Sequence, residues 1–312
     1  MNNIHTPVLA TEMLSYLAPV DNETYLDCTF GAGGYSKLIL SNCNCKVIAF
    51  DRDPAVISIA SQFYQQYPNR FTFFNENFVE ANKYLSKLDK LNGIVMDLGV
   101  SSMQLDEANR GFSFRYDAEL DMRMSQKGYK ASEFVNEASE HQLADIIYKF
   151  GEENKANKIA KHIVLARKKK PITTTLQLAN IIREAVGYNN YYKKNKIDSA
   201  TKTFQAIRIF INDELSAIQN FLNQSLELLA VNGRLIVVSF HALEDAIIKK
   251  FMHQNAVKKV AQSKYSTNRQ SPLQNGVLYL LTKKIAVPTR TEIINNPRSR
   301  SARLRAALKI NE

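Results

Sequence analysis

Apolar and polar positions follow two different rhythms along the chain. From Glu23 to Ala108, short apolar runs at Tyr25–Cys28, Lys46–Phe50, Phe71–Phe74 and Gly93–Leu98 are separated by stretches with helical spacing. Strands that alternate with helices in this way predict a parallel, doubly wound α/β sheet of the Rossmann-like kind. From about Ala131 to Gly187 the apolar residues recur every three to four positions, as in "EHQLADIIYKFG" and "ANKIAKHIVLARKKK", and no strand pattern intervenes. This predicts an inserted all-helical region.

Beyond it, "GYNNYYKKNKIDSATKTFQA" is polar, aromatic and basic, and reads as a loop leading into a helix near Thr203–Asn223. Asn232-Gly233 is a turn dipeptide ahead of "RLIVVSF", a β-branched run suited to rejoin the sheet. "LEDAIIKKFM" predicts a following helix and "GVLYLLTKK" an edge strand. The predicted division is therefore 1–108 and 206–312 for the two parts of the sheet domain, the second ending in a basic C-terminal tail, and 109–205 for the helical insertion.

Composition narrows the partners. The chain has 312 residues, 45% of them hydrophobic, enough for one large core or two modest ones. Its formal charge is +11, with a pI of about 9.4, which favours a polyanionic partner. No apolar run reaches the roughly 20 residues of a membrane span, and the N-terminus lacks the layout of a signal peptide, so a cytoplasmic location is expected. Cys28, Cys43 and Cys45 provide neither a disulfide framework nor the spacing of a zinc site.

The chemistry concentrates in "LDCTFGAGGYSKLIL", Leu26 to Leu40, where a strand runs into a glycine turn and then a helix. Such a turn brings backbone N–H groups close to a ligand, most often a nucleotide. A dinucleotide fingerprint requires a third glycine where this chain has Ser36. That weighs against a nicotinamide dehydrogenase and leaves open another adenosine ligand, or simply a tight connection. Asp51, closing the second strand in "IAFDRDP", is placed to accept ribose hydroxyls; its alternative is to cap the helix begun by Pro54. Phe78 is suited equally to walling an adenine ring or to the core, and Asp97 in "GIVMDLGVSSMQLD" reaches the same rim from the fourth strand.

These stretches, with "HTPVL" at His5–Leu9, "RGFSF" at Arg110–Phe114, "LDMRM" at Leu120–Met124, "GEE" at Gly151–Glu153, "TKTFQAIRIFINDEL" at Thr201–Leu215, "GRLIVVSFHALED" and "NPRSRSARLR" at Asn296–Arg305, occur in one order along nearly the whole chain. In that order they resemble the RsmH/MraW family of S-adenosylmethionine-dependent methyltransferases. The resemblance implies methylation of the N4 amine of a cytidine in 16S rRNA, in the decoding region of the small ribosomal subunit, with the helical insertion as the substrate-recognition domain. It implies cofactor contacts at Gly33, Gly34, Tyr35, Asp51, Phe78, Asp97 and Gln104, with S-adenosyl-L-methionine as cofactor and no metal. The chain departs from the family pattern at Tyr35, usually histidine, at Met103, usually proline, and at Ala242 and Ala246, usually serine and arginine.

Asp97 is the candidate catalytic group, accepting a hydrogen bond from the target amine; Ser101 and His241 are weaker candidates. RNA contacts are expected among Arg298, Arg300, Arg303 and Arg305, among Arg167 to Lys170, and at Tyr191 and Tyr192 beside Lys193 and Lys194. The alternative from another class is an RNA-binding ribosome-assembly factor with a retained cofactor pocket. Oligomeric state is not legible.

Overall fold

A computed structural model of the chain describes residues 7–187, 198–259, 273–274 and 276–312. In chain order the elements are α1 (Ala10–Leu17), β1 (Thr24–Asp27), α2 (Gly34–Asn42), β2 (Lys46–Phe50), α3 (Ile57–Gln66), β3 (Phe71–Phe74), α4 (Ala81–Leu85) and β4 (Leu91–Asp97). There follow α5 (Ser102–Asp106), α6 (Ala131–Glu137), α7 (Glu140–Gly151), α8 (Ala156–Arg167), α9 (Thr175–Val186) and α10 (Thr201–Asn212). The chain continues through α11 (Glu214–Leu228), β5 (Leu229–Ser239), α12 (Ala242–Asn255), β6 (Lys258–Lys259), β7 (Leu273–Gln274), β8 (Leu278–Leu280), α13 (Arg290–Asn295) and β9 (Arg303–Lys309). No helix among the described residues is long and apolar enough to cross a membrane.

Two compact units divide the chain at Gly99/Val100 and at Glu214/Leu215. A division at 205 would cut through α10, which continues to Asn212, and Asn212 bonds back to Met122 and Met124 in the same unit. A single helix near Thr203–Asn223 was expected. The chain instead breaks it into α10 and α11 at Asp213, whose φ of 48° leaves the right-handed helical region.

The first unit is a sheet of order β3-β2-β1-β4-β5-β9-β8. Pairing is parallel from β3 to β5, and β9 and β8 join antiparallel. Strands β1, β2 and β4 are nearly continuous apolar runs because helices cover such a sheet on both faces. Leu26, Ile48, Phe50, Ile94 and Met96 pack in one core with Phe221 and Leu222 of α11 and Ile248 of α12. The order reverses between β1 and β4, the point where open α/β sheets bind ligands beyond their strand ends.

Two expectations are corrected here. The basic stretch at the C-terminus is not a tail: β9 is an inner strand, paired with β5 and β8, in which buried Leu304 and Ala306 alternate with half-buried Arg303 and Arg305. Asn232-Gly233 lies inside β5 rather than before it. Leu91 pairs with Leu229 and Gly93 with Arg234, so the surplus residues of β5 bulge out there, with Asn232 at φ 68°. A Cβ on Gly233 would stand 2.8–2.9 Å from the carbonyl oxygens of Ala230 and Leu91.

The second unit is built on helices. Leu143 and Ile147 of α7, Ile159 and Ile163 of α8, Leu178 and Ile182 of α9, and Ile207 of α10 form its core with Leu120 and Phe134. Ser139 and Thr174 close capping boxes at the starts of α7 and α9.

Candidate active site

Three strand ends of the sheet unit each deliver a carboxyl group. Asp27 ends β1 and is fully buried; its Oδ1 accepts the Thr29 N–H at 3.1 Å and its Oδ2 accepts the Ser36 hydroxyl at 2.7 Å. One carboxylate thus ties both ends of the glycine turn together. Burial raises its pKa to about 6, the bonds from Ser36 and Thr29 opposing the rise.

Asp51, just beyond β2, accepts the Gly31 N–H through Oδ2 at 2.7 Å and the Asp53 N–H through Oδ1 at 2.8 Å. Capping of the helical turn at Pro54 falls instead to Asp53, which accepts the Ala55 N–H at 3.0 Å. Each Asp51 oxygen keeps a lone pair for a ligand hydroxyl. Its pKa is raised to about 6, chiefly by burial, with backbone N–H bonds opposing.

Asp97 ends β4. Its N–H donates to the Thr29 hydroxyl oxygen at 2.7 Å, which binds it to the turn after β1. Its Oδ1 lies out of solvent with no hydrogen-bond partner. Desolvation first, then the nearby negative charges of Asp27 and Glu244, raise its pKa to about 8. An orphaned buried carboxyl oxygen with acidic neighbours is costly to the fold and suited to a cationic ligand.

Gly33 has φ 76° and precedes the first turn of α2. A Cβ there would meet Phe63 Cζ at 2.5 Å, so glycine is required for backbone shape and for contact with α3. Gly34 lies against Pro7 in the same manner. The Tyr35 hydroxyl donates to the Val8 carbonyl at 2.5 Å, and the buried ring holds the segment before α1; burial pushes its pKa well above the ordinary phenol value. What Tyr35 leaves for a ligand is backbone in the first turn of α2. The Phe78 ring is half-buried and packs edge-on against Phe221 at 5.3 Å, so it belongs in part to the core.

Gln104 belongs to the other compact unit. There it and Ser101 form the capping box of α5: Gln104 Oε1 accepts the Ser101 N–H at 3.0 Å and Ser101 Oγ accepts the Gln104 N–H at 3.2 Å. His241 caps α12, its Nδ1 accepting the Glu244 N–H at 3.4 Å. Both candidates thus have a structural task. Tyr191, Tyr192, Lys193 and Lys194 lie outside the described residues.

Sequence reasoning missed Asp27, Thr29 and Glu244 as parts of this arrangement. Asp27 was legible as the last residue of β1, one turn from Ser36. The fully buried Glu244, whose Oε2 accepts the Phe240 N–H at 2.7 Å, resembles any capping glutamate in sequence.

Residues 2–310 match the model of the MraW methylase family. The chain belongs to that family. It is 96% identical over 312 residues, all of both chains, to a protein of Orientia tsutsugamushi (strain Boryong) named ribosomal RNA small subunit methyltransferase H. A protein of the same name from Rickettsia typhi (strain ATCC VR-144 / Wilmington) is 52% identical over 310 residues, 99% of this chain and 100% of that one. Among solved structures, a putative rRNA methylase from Clostridium thermocellum aligns at 11% identity with a TM-score of 0.45, over 99% of this chain and 100% of that one.

The cofactor of this methylase family is S-adenosylmethionine, and the donor set fits it. Asp51 offers acceptors for ribose hydroxyls. Asp97 and Asp27 offer negative charge to a molecule that carries a sulfonium and an ammonium, and the orphaned Oδ1 of Asp97 gains a partner when a cation or N–H donor arrives.

Proposed function

We propose that this chain transfers a methyl group from S-adenosylmethionine to the N4 amine of a cytidine in small-subunit ribosomal RNA. The names of its relatives support the substrate class, and the resemblance noted in the sequence supports the N4 atom and the decoding region. The observation that carries the chemistry is the half-buried Asp97 carboxyl, raised to about 8, with its Oδ1 out of solvent and unpartnered.

The bound cofactor supplies a methyl group made electrophilic by its sulfonium. The cytosine amine is a weak nucleophile, because its lone pair is delocalised into the ring. An ionised Asp97 accepts a hydrogen bond from that amine, localises the lone pair as the new N–C bond forms, and takes the surplus proton. Asp97 starts mainly protonated at neutral pH; positive charge beside it lowers its pKa and ionises it when the cofactor binds. Thr29 holds the backbone of this group, Asp27 in turn holds Thr29, and Asp51 anchors the ribose.

The test is transfer of labelled methyl to small ribosomal subunits, followed by nucleoside analysis. Label in N4-methylcytidine is the expected result. Label in another nucleoside overturns the N4 assignment, and none on RNA, with cofactor binding confirmed, overturns the reading.

A further inference from the structure

Helix α8 presents an unusual surface. Between Asn154 and Arg183 the chain holds six lysines, two arginines and no Asp or Glu. The buried face of α8 is Ala156, Ile159, Ala160 and Ile163. On its outer face Lys158 and Lys161 stand at helical spacing ahead of Leu165, which is 49% exposed, and Lys168, Lys169 and Lys170 follow in the turn just past its end, all exposed.

The other cations of the stretch serve the fold. Arg167 donates to the Val135 carbonyl at 2.8 Å, Lys155 to the Val186 carbonyl at 2.8 Å, and Arg183 pairs with Asp198 at 2.8 Å. No described residue pairs with Lys158, Lys161, Lys168, Lys169 or Lys170. By contrast, Arg303 and Arg305 are bound to Asp245, with Arg305 Nε at 2.7 Å. The structure thus separates cations that hold the fold from cations held out to solvent, and it does not do so as the linear charge runs suggest.

We infer that the outer face of α8 and the turn that follows it, Lys158, Lys161, Lys168 and Lys169, form a docking surface for the phosphate backbone of the substrate RNA. The inference rests on the RNA substrate proposed above and extends it to a surface. Lys158 to Lys168 spans about 15 Å at 1.5 Å per residue. That length faces several successive phosphates of one strand. A stripe without carboxylates is self-repelling in isolation and is relieved by a polyanion.

The experiment measures binding of deproteinised small-subunit rRNA to the full chain across a series of salt concentrations. The variant K158Q/K161Q/K168Q/K169Q is expected to lower the slope of log affinity against log salt by about 3 and to weaken binding at least about tenfold at physiological salt. A second variant, K87Q/K127Q/K283Q/K284Q, removes the same charge from exposed lysines elsewhere and is expected to stay within about twofold of the parent. Equal losses in both variants, or no loss in the first, overturn the inference, as does tighter binding of the parent to phosphatidylglycerol vesicles than to RNA. Cofactor affinity serves as the check of folding. Should the fourfold variant not fold, K158Q/K161Q alone is expected to show about half the change in slope. RNA binding that depends on the stripe, with no methyl transfer by the parent, would sink the methyltransferase reading and leave the stripe standing.

Discussion

Asp97 and Asn212 are both polar side chains in deep surroundings, one in each compact unit, and they are treated in opposite ways. Asn212 is 3% exposed and uses its whole amide: Oδ1 accepts the Met124 N–H at 2.8 Å, and Nδ2 donates to the carbonyls of Met122 at 2.7 Å and Arg208 at 2.9 Å. Arg110 does likewise in the same unit, its Nη2 donating to the Arg123 and Met124 carbonyls at 3.0 Å. Asp97 has its Oδ1 out of solvent without a partner, and two carboxylates near it. A satisfied buried amide holds a loop in one shape, here one that includes Met122 at φ 61°. An unsatisfied buried carboxyl costs stability and persists where a ligand meets it. The comparison separates scaffold from site on energetic grounds.

The largest effect expected from breaking this contrast is at Asp97. Asp97→Asn keeps the shape and removes the proton acceptor, so methyl transfer should fall by about 10²–10⁴-fold. The same change should stabilise the chain. A carboxyl raised in the folded state holds its proton more tightly than in the unfolded chain, so the parent loses stability as pH climbs from about 4 to about 8. The thermal midpoint of Asp97→Asn should therefore exceed that of the parent by about 2–4 °C near pH 8, and by less near pH 5. A variant that is both slow and less stable across this range would show that Asp97 is scaffold after all.

Asn212→Ala should do the reverse. Losing three buried hydrogen bonds should cost about 2–4 kcal/mol in denaturant unfolding, with cofactor affinity at low temperature within about twofold of the parent. Loss of cofactor binding in proportion to stability would mean that the two units are not energetically distinct.

Much of the sheet unit was legible because its signals are local. Lys46–Phe50 and Phe71–Phe74 were read to the residue, since parallel strands covered on both faces leave short apolar runs bounded by polar turns. Asp51 and Asp97 were legible for the same reason, each ending such a run. What the sequence hid depended on distant partners. The basic C-terminus reads as a solvated tail until β5 and β8 are seen to flank it, and the charge run does not reveal that the Arg305 guanidinium is bound to Asp245, sixty positions away. Likewise Asp213 and the turn at Asn232 follow from backbone conformation that helix and strand propensities do not encode.

A smaller effect is expected at Gly33. Gly33→Ala sets a methyl 2.5 Å from Phe63 Cζ at φ 76°, and should destabilise the chain by about 1–3 kcal/mol. If crowding contributes, Phe63→Leu should recover part of that loss in the Gly33→Ala background, while strain from φ alone would leave nothing to recover. Such a result would place the glycine requirement in helix packing as well as in ligand approach.

The smallest and most discriminating change is at Thr29, which touches the boundary between scaffold and site. Its hydroxyl oxygen accepts the Asp97 N–H at 2.7 Å, while its own N–H donates to Asp27. Thr29→Val keeps the shape but leaves the Asp97 N–H without that acceptor, at a cost of about 1 kcal/mol. If Thr29 serves only the fold, that cost appears in unfolding and turnover is unchanged. If it positions Asp97, turnover with saturating cofactor should fall about fivefold, and the pH dependence of cofactor affinity, which should strengthen as pH rises toward 8, should shift its midpoint. Thr29→Ser restores the acceptor and should return both readings to within about twofold of the parent, because the oxygen rather than the methyl group makes the contact with Asp97.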